Sequence, residues 1–381
     1  MLYRKLGKTG IDLSILGFGC MRLPVTDNKS ERIDYQKATE MIHYAIDHGV
    51  NYVDTAYFYH GVVFGQRGES EPFVGEVLSG GWRKKVNLAT KMPLFFLREK
   101  EQMESFLSEQ LDRLKTDYLD FYLMHGLNGE LWDKMKSLGV REFLDKKIAE
   151  GKIRFPAFSF HGQAEDFLRI CDEYDWTFAQ IQYNYMDADF QAGYKGLKYA
   201  AEKGIGVVVM EPLKGGKLAQ NIPAEMTTVF NDSTINRSPA EWALRYVWNE
   251  KGVTSVLSGM NTMEQVVENI RIADEGLADS LNAGDKLMFG KLQNAMNKRT
   301  KADCTACRYC MPCNSGVDIP DVLAALNKAA IWNDPNAWLT GYISIKGKAA
   351  KCTDCKECEG VCPQGLPVSS LMKEALSMFK G

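Results

Sequence analysis

At 381 residues, with a formal net charge of −3 and 25% charged residues, the chain has an ordinary mixed surface. That balance lacks the basic excess of a nucleic-acid or anionic-membrane binder, and no apolar run approaches the ~20 residues that a membrane helix needs. The start, Met1-Leu-Tyr-Arg-Lys-Leu-Gly7, has no secretory apolar core, so a reducing, cytoplasmic setting is expected.

The length leaves room for one large domain and one small one, divided as residues 1–285 and 286–381. The first part alternates short apolar runs with longer amphipathic stretches. Leu6-Gly-Lys-Thr-Gly-Ile11 reads as a hairpin turn; it is not a phosphate loop, because Leu2 stands where the upstream glycine belongs. Strands are predicted at Ile15–Gly19, Tyr52–Asp54, Val86–Thr90, Leu119–Met124, Arg154–Phe158, Phe178–Gln182, Gly206–Met210 and Thr254–Leu257. Helices are predicted between them, at Gln36–His48, Glu99–Leu114, Gln163–Asp172, Tyr194–Lys203, Pro239–Trp248 and Met263–Ala273. Val207-Val-Val209 is continuously β-branched, as in a strand buried on both faces. Gly49, Gly151, Gly204 and Gly252 follow helices, where a left-handed cap is wanted. This alternation fits a (β/α)8 barrel better than a doubly wound sheet, since no GxGxxG follows the first strand.

In such a barrel, polar residues at the C-terminal strand ends are the candidates for chemistry. Asp54 ends the second strand, with Tyr59 five residues on; Lys91 follows the third and His125 the fourth. Singly, each has a structural explanation: a cap, a solvated lysine, a packed histidine. Together they supply the parts for carbonyl reduction. A tyrosine starts near pKa ~10; a neighbouring ammonium stabilises its phenolate, and a carboxylate keeps that ammonium charged and placed. A histidine can polarise the substrate oxygen. The segment Gly61-Val-Val-Phe-Gly-Gln-Arg67 enlarges the loop beyond Tyr59 and is expected to shape access. Cys171 reads as a small packed hydrophobe, and Cys20 either packs likewise or faces the cleft.

Residues 1–285 resemble the aldo/keto reductases. The resemblance rests on Arg4-Lys-Leu-Gly-Lys-Thr-Gly, Asp54-Thr-Ala-x-x-Tyr59, Gly68-Glu-Ser-Glu71, Ala89-Thr-Lys91, Arg113-Leu-x-x-Asp-Tyr-Leu-Asp120 and Leu123-Met-His125. It implies a tetrad of Asp54, Tyr59, Lys91 and His125, with Tyr59 as general acid, a small carbonyl or alcohol substrate, and NADPH or NADH as hydride carrier. It further implies that Ser159 and Gln180 hold the nicotinamide carboxamide, although Phe160 replaces the asparagine that commonly follows the serine. Met210 stands where many members stack a tyrosine. Pro212, Leu213 and Gly215 are expected along the pyrophosphate, and Gly259, Gln265 and Asn269 near the adenosine. Gly259 and Gln265 replace basic residues that many relatives set against the 2′-phosphate. Since a phosphate wants Arg or Lys, relaxed or NADH-leaning use is expected.

Beyond residue 285 the pattern changes. A helical Asp285–Arg299 leads to Cys304-x2-Cys307-x2-Cys310-x2-Cys313, and a helical spacer leads to Cys352-x2-Cys355-x2-Cys358-x3-Cys362-Pro363. Two CxxC pairs often close a structural zinc site. Here the cysteines come in fours at three-residue steps, and the second run matches the bacterial ferredoxin pattern, which favours two [4Fe-4S] clusters. In that scheme Cys304, Cys307 and Cys310 share a cluster with Cys362, and Cys352, Cys355 and Cys358 share one with Cys313. The whole chain thus resembles the aldo/keto reductase branch with a C-terminal, mainly helical, ferredoxin-like domain. A hydride carries two electrons and a cubane takes one, and no flavin motif is evident to link them. A second functional class therefore stays open: a nicotinamide-binding redox sensor or electron-transfer subunit with a redox partner protein.

Overall fold

The computed structural model describes residues 1–62, 66–233, 235–304 and 306–379; part of the Gly61–Arg67 segment lies outside the described residues. The chain forms two compact units, one of residues 1–218 and 237–281, the other of residues 219–236 and 282–381.

The first unit opens with a hairpin of β1 (Tyr3–Lys5) and β2 (Asp12–Ser14), paired Tyr3 to Ser14 and Lys5 to Asp12. Eight parallel strands then close a barrel: β3 (Leu16–Gly19), β4 (Tyr52–Asp54), β5 (Asn87–Met92), β6 (Leu119–Leu127), β7 (Ile153–Phe160), β8 (Phe178–Gln182), β9 (Gly206–Met210) and β10 (Val253–Ser258). Closure comes from Val256–Ser258 pairing with Leu16–Phe18. All eight strand candidates are present. Helices Ser70–Val77, Gly129–Ser137 and Val140–Ala149 escape the sequence pattern. The last two are separated by Gly139 in a left-handed conformation (φ 76°), which breaks what would read as one irregular stretch.

Two apolar layers hold the barrel. Inside, Tyr52, Phe121, Phe178, Val208 and Leu257 pack with Leu6 and Leu13 of the hairpin, which plug the N-terminal end. The hairpin fits tightly there: a side chain on Gly7 (φ +48°) would meet the carbonyl of Gly204 at 2.6 Å. Outside, strand residues such as Leu16, Val53, Leu88 and Met124 pack against the helices. Arg4 locks the plug, its guanidinium donating to the carbonyls of Trp248, Glu250, Val253 and Gly276 at 2.6–3.1 Å. This explains why an arginine belongs in the opening motif. All the candidate strand-end residues lie at the opposite rim.

In the second unit, helices Ile319–Trp332, Pro335–Ser344 and Val368–Met378 surround a small core of Val322, Leu323, Leu326, Ala329, Leu371, Met372 and Ala375, and helix Ala283–Asn297 packs on helix Ala224–Asn231. Asn282 and Asp285 form a reciprocal capping box at helix Ala283–Asn297. Tyr342 stacks on Phe379 with ring centroids 4.3 Å apart.

Because charged-donor hydrogen bonds contribute about 1.5–3 kcal/mol each and orphaned carbonyls add a penalty, Arg4→Ala is expected to lower unfolding stability by at least about 2 kcal/mol. Urea titration followed by circular dichroism measures this; an unchanged midpoint would mean that the plug is held by its apolar residues alone.

Candidate active site

The rim of the barrel carries a cleft of about 590 Å³. Its floor is built by three strands. Asp54 is the last residue of β4, and Lys91 lies one residue before the end of β5. The Lys91 ammonium donates to Asp54 Oδ1 at 2.5 Å, to the Thr55 carbonyl at 2.9 Å and to Tyr59 Oη at 3.1 Å. Its three protons are thus all used, although it is only 1% exposed. Asp54 also accepts from Tyr52 Oη at 3.4 Å. The turn after β4 fixes Tyr59: Gly68 packs so closely that a Cβ there would lie 2.0 Å from the Tyr59 carbonyl oxygen. That close approach explains the glycine in Gly68-Glu-Ser-Glu71.

His125 is placed by an irregularity. The β6–β7 register shifts between Met124 and Leu127, and Gly126 adopts φ +64° while its N–H donates to Ser159 Oγ at 2.8 Å. A bulge of this kind re-aims a side chain, and the His125 ring sits 6.2 Å from that of Tyr59, edge to face. β6 therefore runs three residues beyond its sequence-predicted end.

The electrostatics follow from burial. Burial raises the Asp54 carboxyl above its ordinary range, and Lys91 opposes it. Burial also works against the Lys91 ammonium, but the Asp54 carboxylate and Tyr59 outweigh it, so Lys91 stays charged with a raised pKa. Tyr59 is pushed up by burial more than Lys91 draws it down. The sequence argument weighed only the ammonium; desolvation wins at Tyr59, so its proton is firmly held until charge develops on it. His125 is driven well below the ordinary histidine value, first by burial and then by Lys91 and His161. It is a neutral imidazole, and its Nδ1 is buried without a hydrogen-bond partner. Burial likewise raises the Cys20 thiol, a fully buried packing residue that does not line the cleft.

Behind the floor, Glu71 accepts from Thr90 Oγ1 and Gln110 Nε2, both at 2.6 Å, and from Arg113 Nε at 2.9 Å. Gln110 also donates to the Lys91 carbonyl at 3.1 Å. The Arg113 and Glu71 motifs thus brace the strand that carries Lys91. His60, immediately after Tyr59 and in a left-handed conformation (φ 62°), bonds the Ser30 carbonyl through Nδ1 at 2.6 Å and accepts the Leu23 N–H at Nε2, 3.2 Å. Neither role is visible in sequence, because both depend on loops distant along the chain.

Ser159, Gln180, Met210 and Gly259 line the cleft with Arg22, Glu211, Phe58, Phe95, Asn128 and His161. Gln180 is 2% exposed; its Nε2 lies 3.7 Å from the Met210 sulfur, and its Oε1 is buried without a partner. Pro212, Leu213, Gly215, Gln265 and Asn269 do not line it. Pro212 is buried, Gly215 is in a left-handed turn (φ +65°), and Gln265 accepts from the Asn261 N–H. Asn269 is 3% exposed and donates to Ser258 Oγ at 3.0 Å. Arg22, which sequence reasoning passed over, lies across Gly259 with its guanidinium held by Glu211 at 3.0 Å.

In the second unit, Cys304, Cys307, Cys310 and Cys362 ring one small cavity with Ile319, Pro320 and Leu323. Among the described residues no three His, Cys, Asp or Glu side chains converge as for a single ion. The turn after Cys313 is tied to the second run: Asn314 Nδ2 donates to Glu357 at 2.5 Å, and the Ser315 and Thr353 hydroxyls lie 2.9 Å apart. Burial raises the Cys310 thiol and takes that of Cys358 to about 11.

A family model described as the aldo/keto reductase family matches residues 15–283, and one described as a 4Fe-4S dicluster domain matches residues 303–367. The chain is 28% identical over 308 residues to an uncharacterized oxidoreductase, YqkF, of Bacillus subtilis, covering 72% of this chain and 92% of that protein. L-galactose dehydrogenase of Arabidopsis thaliana is 27% identical over 295 residues, 71% of this chain and 88% of its own. The solved holo form of the aldo-keto reductase AKR11C1 from Bacillus halodurans matches with a TM-score of 0.63 and 26% identity, covering 77% of this chain and 96% of its own. The chain belongs to the aldo/keto reductase family. It is an oxidoreductase enzyme with a 4Fe-4S dicluster domain in its C-terminal part, and among the described residues no helix is long and apolar enough to cross a membrane.

His60 is also held below the ordinary histidine value by burial. The unfolded chain therefore takes up this proton near pH ~6.5 before the folded protein does. Its contribution is fully present above that pH and is lost as pH falls toward the folded value. Replacing His60 by Gln is expected to shrink the loss of stability between about pH 7.5 and 5.5, by up to about 1.4 kcal/mol per unit of depression. Urea midpoints at the two pH values test it; equal losses in both proteins would remove His60 as a contributor.

Proposed function

We propose that this chain interconverts a small aldehyde or ketone and its alcohol, using NADPH or NADH, with Tyr59 as the general acid. The observation that carries this reading is the single Lys91 ammonium shared by Asp54, Thr55 and Tyr59 at the floor of a cleft. A bound reduced nicotinamide supplies the hydride that the carbonyl carbon accepts. The Tyr59 hydroxyl gives its proton to the carbonyl oxygen, and Lys91, 3.1 Å away, compensates the resulting phenolate charge. Asp54 holds the ammonium in place throughout. His125 is neutral and donates one N–H to the same oxygen, fixing its direction without competing as an acid. In the reverse direction the same groups take the proton back.

The residues present suit the nucleotide. The buried, unpartnered Gln180 Oε1 is the acceptor that a carboxamide NH2 group needs. Ser159 presents its hydroxyl beside it, since the two residues are register partners across β7 and β8. Met210 offers a polarizable surface against a ring. Arg22 is already engaged by Glu211 at Gly259, which keeps the expectation of relaxed or NADH-leaning use. Phe58, Phe95 and Met21 give the remainder of the cleft an apolar wall, suited to a small carbonyl compound with an apolar substituent.

Replacing Tyr59 by Phe is expected to reduce turnover by at least about a hundredfold while NADH and NADPH still bind, with affinities within about a hundredfold of each other. Steady-state rates and fluorescence titration read the two properties separately. Retained turnover would remove Tyr59 as the acid.

For the C-terminal unit we propose two [4Fe-4S] clusters, held by Cys304, Cys307, Cys310 and Cys362 and by Cys352, Cys355, Cys358 and Cys313. The shared cavity of the first set and the ties between the Cys313 turn and the second run support this pairing. Anaerobically purified protein is expected to contain about eight irons and eight inorganic sulfides per chain. About two zinc ions per chain instead, after reconstitution with iron and sulfide, would replace clusters by structural zinc.

A further inference from the structure

We propose that His161 and Asn128 make the cleft selective for substrates that carry a second, uncharged oxygen, a hydroxyl or another carbonyl, close to the carbonyl that is reduced. The proposal deepens the carbonyl-reduction reading above and rests on it. His161 directly follows β7, and its backbone N–H donates to the Leu127 carbonyl at 2.9 Å. That bond lies just past the register shift that places His125, so one pair of strands sets both histidines. Ser159 and His161 line the cleft, while Phe160 between them is buried in the outer core, as the alternation of a strand requires.

The two edges of the His161 ring differ. Its Nδ1 accepts from Gln191 Nε2 at 3.3 Å, so the ring proton resides on Nε2. A Cβ on Gly126, the residue after His125, would lie 3.3 Å from the Phe95 ring and 3.9 Å from His161 Cδ2. Cδ2 is bonded to Nε2, so the N–H edge lies toward Gly126 and Phe95, in the cleft. Among the described residues Nε2 has no partner. Neighbouring groups exclude water from much of the ring, which outweighs the Glu211 carboxylate and holds the imidazole below the ordinary histidine range. His161 is therefore a neutral donor near pH ~7.

Asn128 supplies a second donor. Its Oδ1 accepts the Leu131 N–H at 2.9 Å as the cap of helix Gly129–Ser137, which leaves the amide NH2 as its other end. That NH2 also has no partner among the described residues. The residue lines the cleft and adjoins His161, since a Cβ on Gly162 would lie 3.0 Å from Asn128 Cβ. Both donors are uncharged. The two cations that line the cleft are committed, Lys91 to its three acceptors and Arg22 to Glu211. A carboxylate or phosphate on the substrate thus meets no free cation, whereas a hydroxyl or carbonyl oxygen matches the N–H groups present. A substrate without that oxygen displaces their water and leaves them unpaired.

The test uses the full-length protein and three ketones of one carbon skeleton: butanone, 3-hydroxybutanone and butane-2,3-dione. Variant-to-wild-type ratios cancel the intrinsic reactivity of each. His161→Phe is expected to lower kcat/KM for the hydroxyketone and the dione by about tenfold, mainly through KM, and to leave butanone within about twofold. His161→Gln keeps an N–H donor and is expected to restore part of the loss. A loss confined to one oxygenated ketone identifies which oxygen is read. Ligand-observed NMR with NAD+ bound, which holds no hydride to transfer, gives the affinities of butanone and the dione apart from turnover, and the same selective loss is expected there. Equal losses for all three ketones, or none, overturn the proposal. So does a His161→Phe protein whose NADH affinity falls about tenfold, which would give the ring to the nucleotide. Failure of the carbonyl-reduction reading is distinct: no ketone turns over, while the NMR affinities still report on His161.

Discussion

A lysine ammonium taken almost wholly out of water sets the terms for the rest of the barrel rim. Isolating such a charge in a low-dielectric interior costs several kcal/mol, and the cost is offset only if every proton finds an acceptor. Lys91 meets that condition with one carboxylate, one carbonyl and one phenol. Each partner is constrained in turn. Asp54 has to end β4, Thr55 has to present its carbonyl inward, and Tyr59 has to return from a turn five residues later. A residue whose structural need for an acceptor is met by a phenol is also a residue that stabilises a phenolate. The same interaction therefore serves stability in the resting state and chemistry when the proton leaves.

Around this pair the structure spends its other buried polar groups on rigidity. Glu71, Thr90, Gln110, Arg113 and Tyr122 form a network behind β5 in which Gln110 reaches both the Glu71 carboxylate and the Lys91 carbonyl. At the opposite end, Arg4 ties four carbonyls and keeps the hairpin plug seated. Two polar groups left without partners belong to residues that line the cleft. His125 Nδ1 and Gln180 Oε1 are buried and unpartnered, a cost of about 1–3 kcal/mol each if nothing satisfies them.

The C-terminal unit depends on a different constraint. Its apolar core is small, built from a few alanine- and leucine-bearing helix faces, and the cysteine loops contribute little regular structure. Non-glycine residues in left-handed conformations cluster in these loops, at Ala306, Arg308, Asp354 and Lys356. Such backbone is disfavoured unless something else over-determines it. Sulfur ligands to a shared inorganic core would supply that determination, as metal binding does in other small domains.

Much of this was legible beforehand. Val207-Val-Val209, the helix-ending glycines and the strand-end polar residues define the barrel, because burial on both faces of a parallel strand leaves a direct mark on residue type. The cysteine runs are equally direct, since ligand spacing is a local property of the chain. Other features were not legible for equally physical reasons. The bulge that turns His125 inward depends on β6 meeting β7. The seat of His60 requires the backbone of residues 23–30, and the placing of Arg22 on Gly259 joins the two ends of the barrel strand order. Desolvation of Tyr59, which reverses the direction expected from its lysine neighbour alone, exists only once the cleft has formed. Sequence by itself determined which groups are present and at what local spacing. The tertiary structure decided which of them lose water and which distant loops they meet, because burial and long-range contact belong to the folded chain and not to any segment of it.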